Sequence, residues 1–285
     1  MNPSTQQLLS QFKTLADPVR ARLVALCAVT ECSVSELTRV TGLSQPRVSQ
    51  HLKQLISTRL LERFRDGHFV YYRVPQQHAD AATRRLLALL PNDEPEFAAD
   101  LKKLRSLRTS EDADRPGADG DDRFLQKALV ELTVSAPLGN LLDIGCGQGR
   151  LLKLLASRAT RVVGVDIDQQ ARRLARAEML LVGHPNCSLR QGDMLSLPFA
   201  DGEFDTVILD DVLGEASEPT AAVNEAKRLL RDGGRLLLLA SVGTRAAGKL
   251  ADDFAGWAAA TGLRLAPPRP IPEARPSWLL GIATL

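Results

Sequence analysis

Residues 141–150, written LLDIGCGQGR, place a glycine at every second position directly after an apolar run. An apolar run followed by Gly145, Gly147 and Gly149 predicts a buried strand that turns sharply into a helix over 149–157. Glycine permits the backbone torsions of such a turn and lets the main chain approach a ligand, while the start of the helix favours negative charge. The same spacing fits dinucleotide-binding proteins, so its meaning depends on the residues that follow.

Acidic residues follow the next two predicted strands. The strand at 161–165 runs into Asp166, whose carboxylate is placed to accept hydrogen bonds from both hydroxyls of a ribose. The strand at 187–190 is followed by Asp193, whose side chain is placed to bond an adenine amino group. Because parallel strands end at the same edge of a sheet, these residues and Asp143 predict one nucleoside-binding pocket.

The elements that must position this pocket alternate along the second half of the chain. Apolar strands are predicted at 140–144, 161–165, 187–190, 204–209, 235–240, 263–266 and 277–283. Amphipathic helices are predicted at about 149–157, 168–182, 218–231 and 248–261. This alternation predicts an α/β fold with a largely parallel sheet that helices cover on both faces.

The order of these segments resembles the class I S-adenosylmethionine-dependent methyltransferases. The likeness covers residues 123–285 and lies in LLDIGCGQGR, VVGVDID, QGDMLSLPF, EFDTVILDDVL and AKRLLRDGGRLLLL. The resemblance implies a Rossmann-like seven-stranded methyltransferase fold that binds S-adenosylmethionine or S-adenosylhomocysteine. It implies that Asp143, Gly145, Gly147 and Gly149 surround the methionine moiety, Asp166 binds the ribose, Ile167 lies against the adenine, Asp193 and Met194 read the adenine edge, and Asp210 contacts the ligand.

The segment after the fourth predicted strand leaves methyl transfer open. Asp210 and Asp211 are placed to act as a base, to bind a substrate amine, to bond the ammonium group of the ligand or to cap a helix. The Asn-Pro-Pro-aromatic motif of amino-methylating relatives is absent, as is a Val-Leu-His segment. Proximity alone can catalyse methyl transfer, so we assign no catalytic residue and keep an active methyltransferase as the alternative.

A different architecture is predicted for the first part of the chain. Helices are expected at 4–15 with Ser4 as cap, from Pro18 with Asp17 as cap, from Ser33 to Gly42, and from residue 45 onward with Ser44 as cap. Apolar runs at 60–64 and 69–74 flank an Asp-Gly pair, which is a strong hairpin signal, and a further helix is expected at about 76–90. Helix, tight turn, helix and basic hairpin together predict a mostly α winged helix-turn-helix.

The predicted fourth helix and hairpin carry residue types that bind nucleic acid. Val48, Leu52 and Leu55 keep helical spacing and face inward, which leaves a polar outer face. Residues 1–90 contain twelve Lys and Arg against six Asp and Glu, although the whole chain carries only +2. The residues that we predict to contact operator double-stranded DNA are Ser44, Gln45, Arg47, Ser49, Gln50, Lys53, Arg65 and His68.

Residues 8–75 resemble the ArsR/SmtB family of bacterial repressors, through FKTLADPVRARLVALC, SVSELTRVTGLSQPRVSQHLKQL and GHFVYYRV. The resemblance implies a homodimer in which the first and last helices pair, and many members release DNA on binding metal. Ser33 and Ser35 stand where one family site has two thiols, with Cys32 one residue out of register. His78 and Asp80 resemble half of the other site, but residues 88–90 offer no further ligand. We therefore expect no metal site.

These patterns predict three segments: a winged-helix domain at 1–90, a connector at 91–122 and an adenosyl-ligand domain at 123–285. The connector combines a helix at 91–106 with an acidic flexible linker at 109–122. No apolar run is long enough for a membrane span and no export signal is visible, which favours the cytoplasm and reduced cysteines.

Together the two resemblances predict a ligand-responsive repressor. ArsR-type regulators with methyltransferase-like domains include a group that senses S-adenosylhomocysteine or S-adenosylmethionine and controls the methionine cycle. The alternative is a true methyltransferase with an appended winged helix.

Overall fold

A computed structural model describes residues 4–66, 69–75, 81–90, 94–110, 122–243 and 246–285. The chain divides into two compact units, Met1–Asp114 with Met179–Pro185 and Arg115–Glu178 with Asn186–Leu285.

The first unit contains helices and a small sheet in the winged helix-turn-helix order. The elements are α1 (Thr5–Leu15), α2 (Pro18–Val29), β1 (Cys32–Ser33), α3 (Val34–Thr41), α4 (Gln45–Ser57), β2 (Glu62–Asp66), β3 (Phe69–Arg73), α5 (Ala81–Ala88) and α6 (Pro95–Ser110). The three strands form an antiparallel sheet of order β1-β3-β2. Residues 76–80 of the predicted helix at 76–90 lie outside the described residues, and His78 and Asp80 are among these five.

Short polar side chains begin the helices of this unit, as their sequence positions predict. Ser4 and Asp17 accept hydrogen bonds from the amides of the first turns of α1 and α2. Ser33 and Glu36 form a reciprocal capping box at the start of α3. Ser44 precedes α4 as expected, but its side chain makes no capping hydrogen bond, which corrects that part of the prediction.

Within the first unit, helix α6 packs against α2 and α3. The guanidinium of Arg22 on α2 donates two hydrogen bonds of 2.8 Å to the carboxylate of Asp100 on α6. Arg108, near the end of α6, is 7% exposed and donates to the Glu36 carboxylate (2.7 Å), the Thr30 hydroxyl (3.1 Å) and the Glu31 carbonyl (2.6 Å). The helix predicted at 91–106 thus reaches Ser110, two residues into the predicted linker; residues 91–93 and 111–121 lie outside the described residues.

From residue 122 onward, strands alternate with helices. The elements are α7 (Asp122–Ser135), β4 (Asn140–Ile144), α8 (Arg150–Leu155), β5 (Arg161–Asp166), α9 (Gln169–Val182), β6 (Cys187–Gln191), β7 (Phe204–Asp210), α10 (Pro219–Leu229), β8 (Leu230–Ser241), α11 (Ala247–Thr261), β9 (Arg264–Leu265), β10 (Arg269–Ile271) and β11 (Trp278–Thr284). The sheet runs β10-β11-β8-β7-β4-β5-β6, with β9 paired to β11. Strands β4 to β8 pair in parallel, whereas β11 is antiparallel to its neighbours. This is the expected Rossmann-like architecture.

The structure departs from the predicted elements at three places. Helix α7 was not predicted, and α8 ends at Leu155, where a short 3-10 turn follows. The strand expected at 263–266 contains only two residues. The strand β10 forms the edge instead, inside a proline-rich stretch, which an edge strand tolerates because its outer amides need no partner.

Candidate functional site

The strand order reverses at β4. Strands β5 and β6 lie on one side of it, and β7 and β8 lie on the other. Ligands of open α/β sheets bind in the crevice at the carboxyl ends of the strands next to such a switch point. Asp143 lies at the end of β4, Asp166 ends β5 and Asp210 ends β7, so the topology brings three predicted acidic residues to this crevice.

The three glycines after β4 all have positive φ, but each meets a different neighbour. A Cβ on Gly145 would lie 2.1 Å from a methyl group of Val212, so this glycine permits the close approach of that side chain. A Cβ on Gly149 would lie 3.1 Å from Ala175 of α9, so this glycine permits the close packing of α9. Only Gly147 has open space above it, and its amide donates 2.8 Å to the Asp166 carboxylate.

A cavity of about 140 Å³ opens beside the glycine turn. It is lined by Ile144, Gly145, Asp166, Ile167, Gly192, Asp193, Met194 and Val212. Five of the residues predicted to bind the ligand therefore share one pocket. The Ile167 side chain is 70% exposed, which leaves it accessible to cover the flat face of a bound base. Asp143, Gly147, Gly149 and Asp210 do not line this cavity.

Asp143 is fully buried, and neither carboxylate oxygen has a hydrogen-bond partner in the described part of the chain. Burial raises the pKa of this carboxyl group well above its usual range, and the nearby Asp210 carboxylate raises it further, against a smaller lowering by Arg150. A buried carboxyl group without donors is unfavourable in a folded protein. The site therefore has an unmet requirement for a hydrogen-bond donor or a cation.

The carboxylates of Asp210, which ends β7, and Asp211, which follows it, both have partners within the protein. Nη2 of Arg150 lies 2.8 and 3.0 Å from the two oxygens of Asp210, and its guanidinium carbon lies 4.5 Å from the centre of the Trp278 ring. The carboxylate of Asp211 accepts 2.8 Å from the amide of Ser241 at the end of β8. Asp211 therefore fixes the backbone at the end of β8, which is a structural role outside the four that the sequence left open for these carboxylates.

These features fit an adenosyl compound with an amino-acid end. Asp166, whose carboxylate can accept hydrogen bonds from a ribose, lines the cavity together with Ile167 and Met194. The unpartnered oxygens of Asp143 suit an ammonium donor. The open side of Gly147 leaves room for the chain between the two ends.

The predicted DNA-contacting residues lie on the outer face of α4 and on the wing. Val48, Leu52 and Leu55 are buried, as their spacing predicts. Ser44, Gln45, Arg47, Gln50, Lys53 and Arg65 are exposed, and Ser49 is half-buried. His68 lies outside the described residues. The exposed polar face can reach base edges and phosphates without unfolding any described contact.

The serines at the position of the family's thiols have a structural role. The hydroxyl of Ser33 lies 3.0 Å from that of Ser35 and bonds Glu36 within the capping box. Within the described ranges, no three His, Cys, Asp or Glu side chains come together as a metal site would need. The same part of the chain contains no helix with the length and apolarity to cross a membrane.

Arg150 and Trp278 are site residues that the sequence reasoning missed. Arg150 directly follows the third glycine, so its place at the helix start was available as a signal. Trp278 is 128 positions further along the chain and reaches the crevice only because β11 pairs antiparallel with β8, which places Trp278 opposite Ser241.

Two family models match the chain. Residues 17–63 match the model described as bacterial regulatory protein, arsR family, and residues 142–238 match a methyltransferase domain. The arsenic resistance transcriptional regulator ArsR1 of Pseudomonas putida is 36% identical over 106 residues, which cover 37% of this chain and 79% of that protein.

Further matches extend to longer proteins and to the fold. An uncharacterised 37.1 kDa protein of a Streptomyces fradiae transposon is 37% identical over 123 residues, 41% of this chain and 34% of its own length. The chain spans 34% to 53% of the length of this protein and two other curated relatives. The crystal structure of a SAM-dependent methyltransferase from Aquifex aeolicus superposes with a TM-score of 0.50 at 15% identity, covering 63% of this chain and 97% of that one, which shows the fold.

Proposed function

The chain belongs to the arsR family of bacterial regulatory proteins and carries a methyltransferase domain behind the DNA-binding domain, and we propose that it is a ligand-responsive transcriptional repressor. In this proposal the winged helix binds operator DNA in the cytoplasm. The methyltransferase domain binds S-adenosylhomocysteine or S-adenosylmethionine and changes the affinity for the operator. Genes of methionine and methyl-group metabolism are the proposed targets.

The outer face of α4 supports the DNA-binding part of the proposal. Arg47, Gln50 and Lys53 are exposed on one side of a helix whose other side is buried. We propose a homodimer, because operator-binding helix-turn-helix proteins place two such helices in successive major grooves. The apolar side chains of Leu9 and Phe12 on α1 are 55% and 48% exposed, which favours the pairing of this helix with a second copy.

The contacts of the Asp210 and Asp211 carboxylates with other protein groups are the observation that favours ligand sensing over catalysis. A general base must be able to reach the proton that it removes. Asp210 is paired with Arg150, and Asp211 holds the amide of Ser241. The pocket thus offers ligand contacts on the nucleoside side, while the two carboxylates best placed for acid–base chemistry serve other partners.

An active methyltransferase is the second candidate. The match of residues 142–238 to the methyltransferase family model favours it. Methyl transfer needs an acceptor in line with the methyl group, and positioning alone supplies much of the rate. A labelled methyl group on an acceptor is the outcome that would support this candidate.

The test measures operator binding with and without each adenosyl compound. Duplexes that bind the full chain are first selected from a random library, and their affinity is then measured by fluorescence anisotropy. We expect one of the two compounds to change this affinity by about 5- to 150-fold, as coupling free energies of 1–3 kcal/mol give. A ligand that leaves DNA binding unchanged would contradict the sensor, since equal affinity for both states shifts nothing.

Two variants separate the two activities. Asp166→Ala removes the proposed ribose contact, and we expect it to abolish the ligand response while operator binding in the absence of ligand persists. Arg47→Ala removes a proposed DNA contact, and we expect it to weaken operator binding while the adenosyl compound still binds. Equal loss of both activities in both variants would count against two separable sites.

A further inference from the structure

The connection between β6 and β7, residues 192–203, supplies part of the wall of the cavity, and we call it the β6–β7 loop. The residues that it contributes are Gly192, Asp193 and Met194. One oxygen of the Asp193 carboxylate accepts a hydrogen bond of 3.0 Å from the amide of Leu195, and the Asp193 carbonyl accepts one of 3.0 Å from the amide of Ser196. The orientation of this carboxylate therefore depends on the backbone of the loop.

Two charged side chains of α10 hold the middle of the β6–β7 loop. The Glu225 carboxylate accepts a hydrogen bond of 2.7 Å from the amide of Leu197. The Arg228 guanidinium donates to the carbonyl of Leu197 at 3.2 Å and to the carbonyl of Phe199 at 3.0 Å. Both the amide and the carbonyl of Leu197 are thus bonded to side chains of α10.

Glu225 and Arg228 also bind each other, and we call them the α10 pair. Nε and Nη2 of Arg228 donate to the two oxygens of the Glu225 carboxylate at 2.8 and 2.7 Å. The hydrogen bond from Arg228 lowers the pKa of the Glu225 carboxyl group, against the effect of burial, and the Leu197 amide lowers it further. The Glu225 side chain is 11% exposed, so water screens the pair only in part. The loop is therefore held by a two-pronged ion pair on a regular helix.

The side chain of Leu197 connects the α10 pair to the cavity. Leu197 is 5% exposed, and one of its methyl groups lies 2.5 Å from the position that a Cβ on Gly192 would take. A methyl group of Val165 on β5 lies 2.6 Å from the same position. Gly192 is therefore enclosed between β5 and Leu197, and any displacement of Leu197 opens space beside the residue that precedes Asp193.

We propose that the α10 pair sets the base specificity of the pocket, with Glu225 and Arg228 as positioning residues that hold the Asp193 carboxylate in place. The inference rests on the proposed function, because it explains how the same pocket distinguishes one nucleoside from another. The compounds accepted are nucleosides of 6-aminopurines. The compounds rejected are those with a carbonyl at that position, such as S-inosylhomocysteine, which differs from S-adenosylhomocysteine in the base alone.

A carboxylate separates these two bases by the direction of the hydrogen bond. The 6-amino group of adenine can donate to Asp193, whereas the 6-carbonyl of hypoxanthine can only accept, so two acceptors would face each other without a proton between them. This distinction requires a carboxylate that cannot turn away. In a loop released from α10, Asp193 could rotate into water and hypoxanthine would bind with little penalty, so the specificity depends on preorganisation by the α10 pair.

The experiment titrates the full chain with S-adenosylhomocysteine and with S-inosylhomocysteine by isothermal calorimetry. We expect the wild type to bind the first compound at least about 10-fold more tightly, as a hydrogen bond to a charged acceptor gives. In Arg228→Met we expect this ratio of affinities to fall below about threefold, because the affinity for the adenine compound falls while that for the inosine compound changes little. A wild-type ratio in Arg228→Met would overturn the inference.

A second pair of variants decides the matter if Arg228→Met does not fold. Glu225→Ala removes the acceptor of the Leu197 amide, and we expect the same loss of discrimination. Glu225→Gln retains an oxygen that can accept from this amide but lacks the charge that pairs with Arg228, so we expect it to recover part of the ratio. Discrimination in Glu225→Ala as strong as in the wild type would overturn the inference.

Lys227→Met is the matched control, since Lys227 precedes Arg228 on α10 and its ammonium group donates at 2.6 Å to the carbonyl of Thr261 at the end of α11. We expect it to keep the wild-type ratio. An equal loss of discrimination in this variant would assign the effect to a general loosening of α10 and overturn the inference. Equal affinity of the wild type for both compounds would overturn it while the proposed function stands. Binding of neither compound would overturn both.

Discussion

Charge is buried in both units, but the two sites treat it differently. In the first unit, Arg108 donates hydrogen bonds to the Glu36 carboxylate, the Thr30 hydroxyl and the Glu31 carbonyl. Burial alone would raise the pKa of Glu36, yet the charge and hydrogen bond of Arg108 hold that pKa below its usual value. In the second unit, the residues that the structure describes offer Asp143 no hydrogen-bond donor, and burial raises its pKa. The paired charges of Arg108 and Glu36 therefore stabilise the fold, whereas the carboxyl group of Asp143 is suited to bind a donor from a ligand.

The largest expected effect breaks the satisfied site. Arg108→Met leaves the Glu36 carboxylate without its cation, and we expect the free energy of unfolding of the first unit to fall by about 3 kcal/mol. Hydrogen exchange of the α3 amides, followed by mass spectrometry, measures this loss locally. Lys103→Met, an exposed residue of the same helix, is the control and should change it by less than about 0.5 kcal/mol. Equal protection of α3 in both variants would refute the contrast.

The unsatisfied site should respond in the opposite way. Asp143→Asn removes the carboxylate proposed to accept from the ligand, and we expect the affinity for S-adenosylhomocysteine to fall by about 1.5–3 kcal/mol. Without ligand, its thermal stability should not fall at pH 7, because a raised pKa means that the ionised carboxylate opposes folding. A variant that unfolds more easily and binds normally would place Asp143 among the structural residues.

The pH dependence sharpens the same contrast. With the folded pKa of Asp143 above its unfolded value of about 3.8, the folded state holds the proton more tightly. Its contribution to stability is present below that unfolded value and is lost as pH rises toward the folded pKa, at about 1.4 kcal/mol for each pH unit between the two pKa values. Denaturant unfolding of wild type and Asp143→Asn across pH 4–8 should show this slope in the wild type alone. Identical slopes would contradict the assignment.

The smallest effect concerns an exposed charge that neither holds the fold nor binds the adenosyl ligand. Lys53→Ala should weaken DNA binding by about 1 kcal/mol, similarly for different sequences, and reduce the slope of log K against log salt by about one. Anisotropy titrations between 50 and 200 mM salt (about the range where such slopes are resolved) measure both. Lys127→Ala, exposed on α7, is the control, and an equal change in both variants would remove Lys53 from the DNA contacts.

Local signals predicted what local physics determines. The caps at Ser4 and Asp17 lie within a few residues of the amides that they serve, and the inward face of α4 follows from helical spacing. The acidic residues at the ends of β4 and β5 were predictable because parallel strands end at the same edge of a sheet, beside the glycine turn. The structure confirms the positions of these acidic residues at the strand ends, whereas their contacts with a ligand remain predictions.

Contacts between distant segments could not be predicted in this way. Arg108 reaches Glu36 across 72 positions, so α6 read as a connector rather than as part of a packed unit. The stacking of Arg150 on Trp278 depends on the register of an antiparallel edge strand. Sequence spacing likewise does not show that Ala175 of α9 fills the space beside Gly149.

The position of Trp278 gives the protein an optical reporter of its own. The chain has two tryptophans, and the ring of Trp257 packs against that of Phe254 with 5.8 Å between their centres. An indole under a guanidinium emits differently from one whose cation has turned to another partner. In a Trp257→Phe background the remaining emission would report any change in the contact between Arg150 and Trp278, and stopped-flow traces would separate ligand binding from a change in DNA binding.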